Sequence, residues 1–337
     1  MTDNLGLIPP QRREGARAAL TLVTDDHEIG PIALLKGGVS GALIYRIDGG
    51  RRSFALRLEP ERIALEHRRR GFACMEAAAA IGVAPRVYFA DPMAGIAVMD
   101  FVDAKPITTH PGGRVGVARE LGALIGRMQT TEPFPMMLGR SEDMIASALQ
   151  SLAASRLFAP GLLDRHRDEL ARIRAAVPWD PSSLMSSHNN PNPRNLLFDG
   201  ACLWLVDWEL ASRNDHLFDL AIATTEIADT PDLEVALLIA ALGRVPDAVL
   251  RARLRVVRLL TRLFYGCIAL DAVAAGRSEQ ENSLEALSPA QFQAAAAQGR
   301  LAPDKIGYAF GKMSLAAFLD GCSARDFAQS LALARLA

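Results

Sequence analysis

The most specific pattern in the sequence consists of two short segments, His188-Asn189-Asn190-Pro191-Asn192-Pro193-Arg194-Asn195 and Leu205-Val206-Asp207-Trp208-Glu209. The first is a polar loop in which Asn190 follows His188 by two residues and Asn195 follows Asn190 by five. The second begins as an apolar strand and ends in acidic residues. This pairing of a polar loop with a strand that ends in an acid says more about the chain than the rest of its sequence.

The spacing of these residues resembles the catalytic loop and the metal-binding strand of kinase-fold phosphotransferases. Those proteins show His-x-Asp, an Asn five residues after that Asp, and a strand that ends in a second Asp. Phosphoryl transfer needs metal ligands on the nucleotide phosphates and one carboxylate that orients and deprotonates the attacking hydroxyl. Asn195 and Asp207 stand in the metal positions, but the catalytic carboxylate position holds Asn190. Because an amide cannot accept a proton at physiological pH, what this fold does and whether this chain still does it are separate questions.

The length and composition are those of an ordinary globular enzyme. The chain has 337 residues, 50% of them hydrophobic and 22% charged, which is enough for two lobes with separate cores. A net charge of −1 gives no indication of nucleic acid or an anionic membrane surface as a partner. Four widely spaced cysteines without a Cys-x-x-Cys pair favour a reducing compartment. No signal peptide and no apolar run of roughly 18 residues is present. We therefore expect a cytoplasmic protein that binds neither nucleic acid nor membrane.

The first part of the chain has the pattern of a small sheet. Apolar stretches predict strands over residues 32–35, 42–47, 53–58, 86–89 and 95–101, and a helix over residues 61–81. Asp48-Gly49-Gly50 predicts a hairpin turn, because glycine accepts the positive φ of such turns. The helix contains Arg68-Arg69-Arg70, which we interpret as a solvated helix face. The order β-β-β-α-β-β predicts an antiparallel-sheet lobe with one main helix.

The second part of the chain is mainly helical. Apolar residues at helical spacing predict helices over residues 115–128, 143–154, 162–176, 233–242, 246–274 and 306–318. Two short strands, 195–198 and 203–207, interrupt this series around an Asp199-Gly200 turn. We therefore expect an α+β chain with a bilobal protein-kinase-like fold, in which the N-lobe covers residues 1–102 and the larger helical C-lobe covers residues 103–337.

Two further features of the predicted sheet suit a nucleotide site. Gly37-Gly38-Val39-Ser40-Gly41 interrupts a hairpin, where glycines let backbone N–H groups approach phosphates, although a glycine-rich turn explains the same residues. Arg57 lies in the apolar strand Phe54-Ala55-Leu56-Arg57-Leu58, and a charge there is costly to bury without a partner. It is either a cation for the nucleotide phosphates or an edge-strand residue that points to solvent.

Together these motifs resemble the superfamily of aminoglycoside phosphotransferases and choline/ethanolamine kinases, over nearly the full length of the chain. Its choline-kinase-like branch typically shows a Gly-Gly-x-Ser loop, Leu-Arg on the third strand, and His-Asn-Asp where aminoglycoside kinases favour His-Gly-Asp. The matching residues are Gly37-Gly38-Val39-Ser40, Leu56-Arg57 and His188-Asn189-Asn190. We therefore favour the choline-kinase-like branch.

The resemblance implies ATP and Mg²⁺ as cofactors. For the nucleotide it implies that Gly38, Ser40 and Arg57 contact the phosphates, and that the hinge Asp100-Phe101-Val102 pairs its backbone with adenine. The hinge residues implied for the nucleotide site are therefore Asp100 and Val102.

For the metal site the resemblance implies that Asn195 and Asp207 ligate Mg²⁺, and that Glu209 joins a second metal or its water shell. His188 braces the catalytic loop, and Asp219 matches a family Asp that orders the loop and the next helix.

The acceptor implied is a small molecule with a hydroxyl group, held by acidic or aromatic side chains if it is cationic. Candidates for that site are Asp215, Asp219, Glu226, Phe264, Tyr265 and Asp271. The aromatic residues among them are better explained as ordinary core residues than as an aromatic cage. No tryptophan lies in the C-terminal helices that usually enclose a quaternary ammonium by cation–π attraction.

The chain also departs from the family pattern in the helix of its small lobe. Family members carry a Glu there that pairs with the strand-three cation, about eleven residues before the Gly that ends the helix. Counting back from Gly82 reaches Gly71, with Glu66 and Glu76 on either side, so the partner of Arg57 stays unassigned.

Two functional hypotheses remain open. The first is an ATP- and Mg²⁺-dependent phosphotransferase for amino alcohols or related acceptors, choline-, ethanolamine- or aminoglycoside-like, with activity impaired by Asn190. The second is a non-catalytic nucleotide-binding pseudokinase or interaction module, for which Asn190 is the positive observation. A helical scaffold without a nucleotide site is a remoter alternative, which loss of both Asn195 and Asp207 would have supported.

Overall fold

The computed structural model describes residues 5–24, 29–35, 41–50, 52–135, 141–177, 183–274, 276 and 280–336. The chain divides into two compact units. Unit 1 comprises Met1–Met137, Met185–Asp219 and Glu226–Val245, and unit 2 comprises Leu138–Leu184, Leu220–Thr225 and Pro246–Ala337. This division differs from the predicted boundary at residue 102, which stays a prediction for the lobes.

Unit 1 contains a five-stranded antiparallel sheet that holds Arg57 in its centre. Its strands are β1 (Ile32–Leu35), β2 (Leu43–Gly49), β3 (Arg52–Leu58), β4 (Val87–Asp91) and β5 (Ile96–Asp100), in the spatial order β1-β2-β3-β5-β4. One helix, α2 (Leu65–Ala80), connects β3 to β4. The predicted order of these elements is confirmed. Arg57 pairs with Ile44 on β2 and with Ala97 on β5, so it lies on a central strand and not at an edge.

A helix that the sequence analysis missed covers one face of this sheet. α1 (Arg13–Thr21) buries Ala16, Ala19 and Leu20, in one cluster with Phe54 and Leu56 of β3. Alternate residues of a strand face opposite sides of a sheet. Phe54, Leu56 and Leu58 therefore face this cluster, while Arg57 faces the other side. The spacing of the three buried residues is helical, but two of them are alanines, and their small apolar area gave a weak signal.

The remaining strands of unit 1 frame the polar loop. β6 (Leu184–Ser187) pairs with β9 (Ser212–Asp215), and β7 (Leu196–Phe198) pairs with β8 (Leu203–Leu205). The second pair was predicted, whereas β6 and β9 were missed because four-residue strands with polar sequences lack a clear alternation. α3 (Gly113–Gln129) packs against α7 (Pro231–Leu242). α6 (Phe218–Glu226), which was also missed, begins directly after β9 and its turn.

Unit 2 is helical over its described residues. Its helices are α4 (Ser141–Ala154), α5 (Asp164–Ala176), α8 (Ala248–Ala274), α9 (Pro289–Ala297), α10 (Pro303–Ser323) and α11 (Phe327–Ala334). Of these, α9 and α11 were not predicted. α8 is the central helix, since α4, α10 and α11 all pack on it. No helix among the described residues is both long enough and apolar enough to cross a membrane.

We expect His166, on α5, to make the stability of the folded chain sensitive to acid. It is fully buried, and burial lowers the pKa of its imidazole to about 4. The unfolded chain therefore binds a proton at pH 4 to 6.5 that the folded chain does not, so stability falls as the pH falls through that window. We expect His166→Gln to recover roughly 2–3 kcal/mol of the stability that the wild type loses between about pH 7 and about pH 4.5.

Urea unfolding at the two pH values measures this difference. The exposed His67 is the matched control, and His67→Gln is expected to keep the wild-type loss. An equal loss in wild type and His166→Gln would show that His166 contributes nothing to the acid sensitivity.

Candidate active site

The buried carboxylate of Asp219 holds the start of the segment from His188 to Asn195, which we call the 188–195 loop. Asp219, in the first turn of α6, is fully buried. Its Oδ2 accepts the backbone N–H of His188 at 2.8 Å, and its Oδ1 accepts that of Asn189 at 2.7 Å. Burial raises the pKa of Asp219 to about 6, although these hydrogen bonds lower it. The acid therefore fixes where the loop begins.

Asn189 is a structural residue of the loop whose role the sequence analysis missed. Its backbone has a positive φ of 62°, a conformation that Asn adopts more readily than most residues. Its side-chain oxygen accepts from Asn214 Nδ2 at 2.7 Å, and its amide nitrogen donates to the carbonyl of Leu210 at 2.8 Å and to Ser212 at 2.9 Å. Asn suits this buried position because its short side chain carries both a hydrogen-bond donor and an acceptor.

His188 connects the loop to the strand that leads to Asp207. Its Nε2 donates to the carbonyl of Val206 at 2.9 Å, and its ring packs edge-on against Trp208. Burial lowers the pKa of the imidazole to about 4, so the ring is neutral near pH 7. A neutral ring with its Nε2 proton already used is suited to bracing the loop and not to proton transfer.

The other asparagines of the loop are connected to one another. Asn192 donates its side-chain N–H to Asn190 Oδ1 at 2.7 Å, and Asn195 donates its own to the carbonyl of Asn190 at 3.0 Å. The carbonyl of Asn195 accepts the backbone N–H of Val206 at 3.0 Å, which places Asn195 beside the residue that precedes Asp207. Because the Asn195 nitrogen is used inside the loop, its amide oxygen is the atom that it can offer to a cation.

Arg57 and Asp207 meet in a partly buried cluster of charges. Arg57 Nη2 lies 3.1 Å from Asp207 Oδ1 and 3.8 Å from Glu209 Oε2, and its Nε lies 2.6 Å from Glu59 Oε1. Asp207 has a left-handed backbone, with a φ of 69°, between β8 and the short 3₁₀ helix Trp208–Leu210. The structure thus brings together two residues that the sequence analysis assigned to one nucleotide site, although they are 150 positions apart in the chain.

The acids of this cluster face several arginines. Glu59, Asp207 and Glu209 surround the guanidinium of Arg57, and the charges of Arg62 and Arg70 also act on Glu209. Burial, followed by the charge of Asp207, raises the pKa of Glu209 to about 7. Burial lowers the pKa of Arg57, but the charges of Glu59 and Asp207 outweigh that effect, so the pKa is raised. The cluster is therefore a set of coupled acids and arginines.

Two atoms of the cluster have unused hydrogen-bonding capacity. Arg57 Nη2 and Asp207 Oδ1 are both buried, and neither has a hydrogen-bond partner among the described residues. They are close enough for an ion pair, but their angle is too poor for a hydrogen bond. An acceptor such as a phosphate oxygen would satisfy Arg57, and a cation would satisfy Asp207. These residues therefore fit Mg²⁺ with a nucleotide.

The metal-ligand set is nonetheless sparse. No group of three or more His, Cys, Asp or Glu side chains placed to hold a metal occurs in the part of the chain that the structure describes. Mg²⁺ commonly takes only one or two protein carboxylates and completes its shell with waters and substrate phosphates. Asp207 and Asn195 suit such a site better than a metal centre built wholly from protein.

Arg70 corrects one interpretation made from the sequence. The run Arg68-Arg69-Arg70 was interpreted as a solvated face of α2, but Arg70 is buried, and its guanidinium donates to the carbonyl of Glu209 at 2.7 Å. Burial lowers the pKa of this guanidinium. The charge pattern of a sequence does not distinguish a helix arginine that contacts a backbone carbonyl within the fold from one that points to solvent.

The structure describes only some of the residues predicted to bind the nucleotide. Gly38 and Ser40 lie outside the described residues. Asp100 ends β5, and its side chain accepts from the hydroxyl of Tyr88 at 2.9 Å. Val102, two residues further on, lies in an irregular segment.

The acceptor candidates are divided between the two units. Asp219 cannot contact an acceptor while it is fully buried with both oxygens bonded to the loop, so its assignment to the acceptor site is replaced by the loop-ordering role. Asp215, in unit 1, accepts the backbone N–H of Leu217 at 2.9 Å. Phe264, Tyr265 and Asp271 lie on α8 in unit 2, where Phe264 is buried against the ring of Tyr265 and Asp271 accepts from Ser151.

Comparison with solved structures defines the class of fold. A choline/ethanolamine kinase family protein from Mesorhizobium loti matches with a TM-score of 0.69 and 21% identity, over 97% of this chain and 100% of that one. Choline kinase LicA from Streptococcus pneumoniae matches at 0.63 and 14%, over 92% and 99%. A putative aminoglycoside phosphotransferase from Ralstonia eutropha matches at 0.57 and 13%, over 91% and 98%. The predicted protein-kinase-like fold is confirmed.

The sequence itself places the chain in a family. Residues 31–256 match the phosphotransferase enzyme family, so the chain belongs to this family, as the motifs had indicated. Arg57, Asn190, Asn195 and Asp207 all lie within the matched residues. A comparison with curated proteins gives no match. A structure of LicA in complex with AMP also matches, with a TM-score of 0.60 and 15% identity over 92% of this chain and 99% of that one.

Proposed function

We propose that the chain binds Mg-ATP at the cluster of Arg57, Asn195 and Asp207 and transfers the γ-phosphoryl group to a hydroxyl of an amino alcohol or a related small molecule. The observation that carries the proposal is the buried contact between Arg57 and Asp207, whose facing atoms both lack a hydrogen-bond partner within the described residues. The unpartnered carboxylate oxygen of Asp207 supports a divalent cation as one of the missing partners.

Each residue has a specific role in this proposal. Asp207 and Asn195 would hold Mg²⁺ through their side-chain oxygens, with Glu209 in its water shell, while Arg57 binds the nucleotide phosphates. When bound, Mg²⁺ neutralises charge on the transferring phosphoryl group. Asp100 and Val102 are proposed to pair with adenine, and the AMP complex of LicA supports a nucleotide in this fold. Gly38 and Ser40 are proposed to approach the phosphates.

Asn190 determines how fast this proposed reaction proceeds. Its amide can orient the hydroxyl of the acceptor by a hydrogen bond, but it cannot remove the proton. Its side-chain oxygen already accepts from Asn192, which fixes the rotation of the amide. We therefore propose a slow phosphotransferase in which orientation and charge stabilisation remain and base catalysis is absent.

An amino alcohol is the proposed class of acceptor. Structures named as choline and ethanolamine kinases match over nearly their full lengths, which supports the choice of this class for testing. Asp215 and Glu226 of unit 1 are proposed to contact its cation. In unit 2 the candidates are Tyr265 and Asp271, and Phe264 is less suited because it is buried.

A second function, nucleotide binding without transfer, is favoured by two positions. Asn190 replaces the catalytic acid, and Gly71 stands where the resemblance expects a Glu. A nucleotide-binding protein needs neither the base nor fast turnover. The two functions share the Mg-nucleotide site and differ only in whether product forms.

Binding of Mg-nucleotide is the first expected result. A ligand that binds only the folded chain stabilises it by about 2.7 kcal/mol at a hundredfold excess over its Kd. We expect Mg-ADP and Mg-ATP to raise the melting temperature accordingly, and Asp207→Asn to abolish the effect, because the variant loses the negative charge that attracts the cation. Asn tolerates the left-handed backbone of residue 207, so the fold should persist.

Thermal unfolding and titration calorimetry measure this effect. The control is Asp232→Asn, which removes an exposed acid on α7 and should leave the ligand-induced rise unchanged. Absence of any shift or heat with millimolar Mg-ADP and Mg-ATP would refute the proposed function.

A further inference from the structure

The helix of the sheet supplies no acid to Arg57. Gly71, the position where the resemblance expects that acid, lies against the segment that follows Asp207. A Cβ atom at residue 71 would stand 3.4 Å from the carbonyl oxygen of Trp208 and 3.5 Å from the Cα atom of Glu209. The two other acids of α2, Glu66 and Glu76, are exposed. The helix therefore faces the charge cluster at the expected place, but without a carboxylate.

A different carboxylate, that of Glu59, makes the shortest contact with Arg57. Its Oε1 lies 2.6 Å from Arg57 Nε, and the residue is only 6% exposed. Residues two apart on an extended strand point to the same side. Glu59 directly follows the last residue of β3, and its backbone N–H still bonds to Gly95, so Arg57 and Glu59 share the sheet face opposite α1.

The backbone of Glu59 is fixed on both sides. Its N–H donates to the carbonyl of Gly95 at 2.8 Å, and its carbonyl accepts from Arg12 at 2.8 Å. Arg12 also donates to the carbonyls of Ala94 and Gly95, so the start of α1 and the β4–β5 turn both hold this residue. Such anchoring limits the directions in which the carboxylate can point, and therefore limits those of Arg57.

We propose that Glu59 is a positioning residue that aims Arg57 at the nucleotide phosphates, in place of the helix carboxylate that Gly71 lacks. This inference depends on the proposed function, because it assigns a purpose to Arg57 in nucleotide binding. Glu59 engages Nε and leaves the Nη atoms for other partners. When a cation occupies Asp207, Arg57 loses that counter-charge, and Glu59 remains to hold it in place. Because Glu59 follows Arg57 by two residues and already pairs with it, α2 is not needed to complete the ion pair.

The test uses titration calorimetry of the full chain with Mg-ADP and, separately, with adenosine. Adenosine has no phosphates, so a residue that acts through Arg57 should affect only Mg-ADP. We expect Glu59→Gln, which keeps the size of the side chain but not its charge, to weaken Mg-ADP binding about 10- to 100-fold, the usual effect of losing a supporting partner. Affinity for adenosine is expected to stay within about twofold of wild type.

A double variant tests whether a carboxylate at position 71 can replace that of Glu59. Adding Gly71→Glu to Glu59→Gln returns a carboxylate from the helix side, and we expect it to restore most of the lost Mg-ADP affinity. It also keeps the inference testable if Glu59→Gln alone folds poorly. Glu66→Gln, on the exposed side of α2, is the matched control and should bind both ligands as the wild type does.

The outcomes separate the inference from the function that it depends on. Arg57→Ala serves as the reference: if wild type and Arg57→Ala bind Mg-ADP equally, the proposed nucleotide site fails and this inference fails with it. If Arg57→Ala weakens binding but Glu59→Gln does not, only the role of Glu59 is overturned. If Glu59→Gln weakened the binding of Mg-ADP and of adenosine equally, Glu59 would have a structural role only. If Glu59→Gln weakens Mg-ADP binding and the added Gly71→Glu does not restore it, Glu59 does not act in place of a carboxylate at position 71.

Discussion

Asn190→Asp is expected to raise the catalytic rate constant for phosphoryl transfer to an amino alcohol by about two to four orders of magnitude. Assistance by a general base contributes about 10²–10⁴ in rate, which corresponds to about 3–5 kcal/mol of barrier. The 188–195 loop is already ordered by Asp219, His188 and Asn189, so the new carboxylate would enter a prepared position. Affinity for Mg-ADP should change little, because the proposed nucleotide contacts come from other residues.

Steady-state assays of ADP release with a panel of amino alcohols, alongside calorimetry of Mg-ADP, measure both quantities. Asn192→Asp is the matched control, because it adds the same charge to a residue whose side chain lies 2.7 Å from that of Asn190. It should not accelerate turnover. If Asn190→Asp binds Mg-ATP but phosphorylates none of the alcohols, the non-catalytic nucleotide-binding function becomes the better account.

Asp219→Ala is expected to have the largest effect on the fold near the site. The substitution leaves the backbone N–H groups of His188 and Asn189 buried without the acceptors that they now have. Each unsatisfied buried group costs about 1–3 kcal/mol, so the variant should lose about 3–5 kcal/mol of stability. Since these two amides define the start of the 188–195 loop, Mg-nucleotide binding should weaken as well.

Hydrogen exchange at the amides of His188 and Asn189 is the direct measurement, since both should lose protection. Urea unfolding gives the total loss. Asp232→Ala is the control, because Asp232 is also an acid in the first turn of a helix but is exposed, and surface substitutions usually change stability by less than about 0.5 kcal/mol. Unchanged exchange in Asp219→Ala would contradict the ordering role.

The sequence predicted most of the large elements because their patterns are local. The sheet order around α2, the hairpin at β7 and β8 and the long helix α8 all follow from apolar periodicity and turn residues. The elements that were missed have little apolar area or few residues, as in α1, β6 and β9. Their stability comes from packing against distant parts of the chain, which a local pattern does not record.

The sequence by itself determined the family and the identity of the central polar residues. The spacing of His188, Asn190, Asn195 and Asp207 is a property of the chain, and the family match agrees with it. The absence of a catalytic acid at Asn190 is likewise readable without coordinates, because an amide has no titratable proton acceptor near neutral pH.

Only the tertiary structure decided which charges meet. Asp219 had both a loop-ordering role and an acceptor role in the sequence analysis, and its full burial under the loop favours the first. The run that contains Arg70 resembled a solvated surface, but that guanidinium binds a buried carbonyl. The partner of Arg57, which counting along α2 could not supply, is Glu59, the residue directly after the end of β3. The physical reason is that the effect of a charge depends on its distance from other charges and on its burial, and folding sets both.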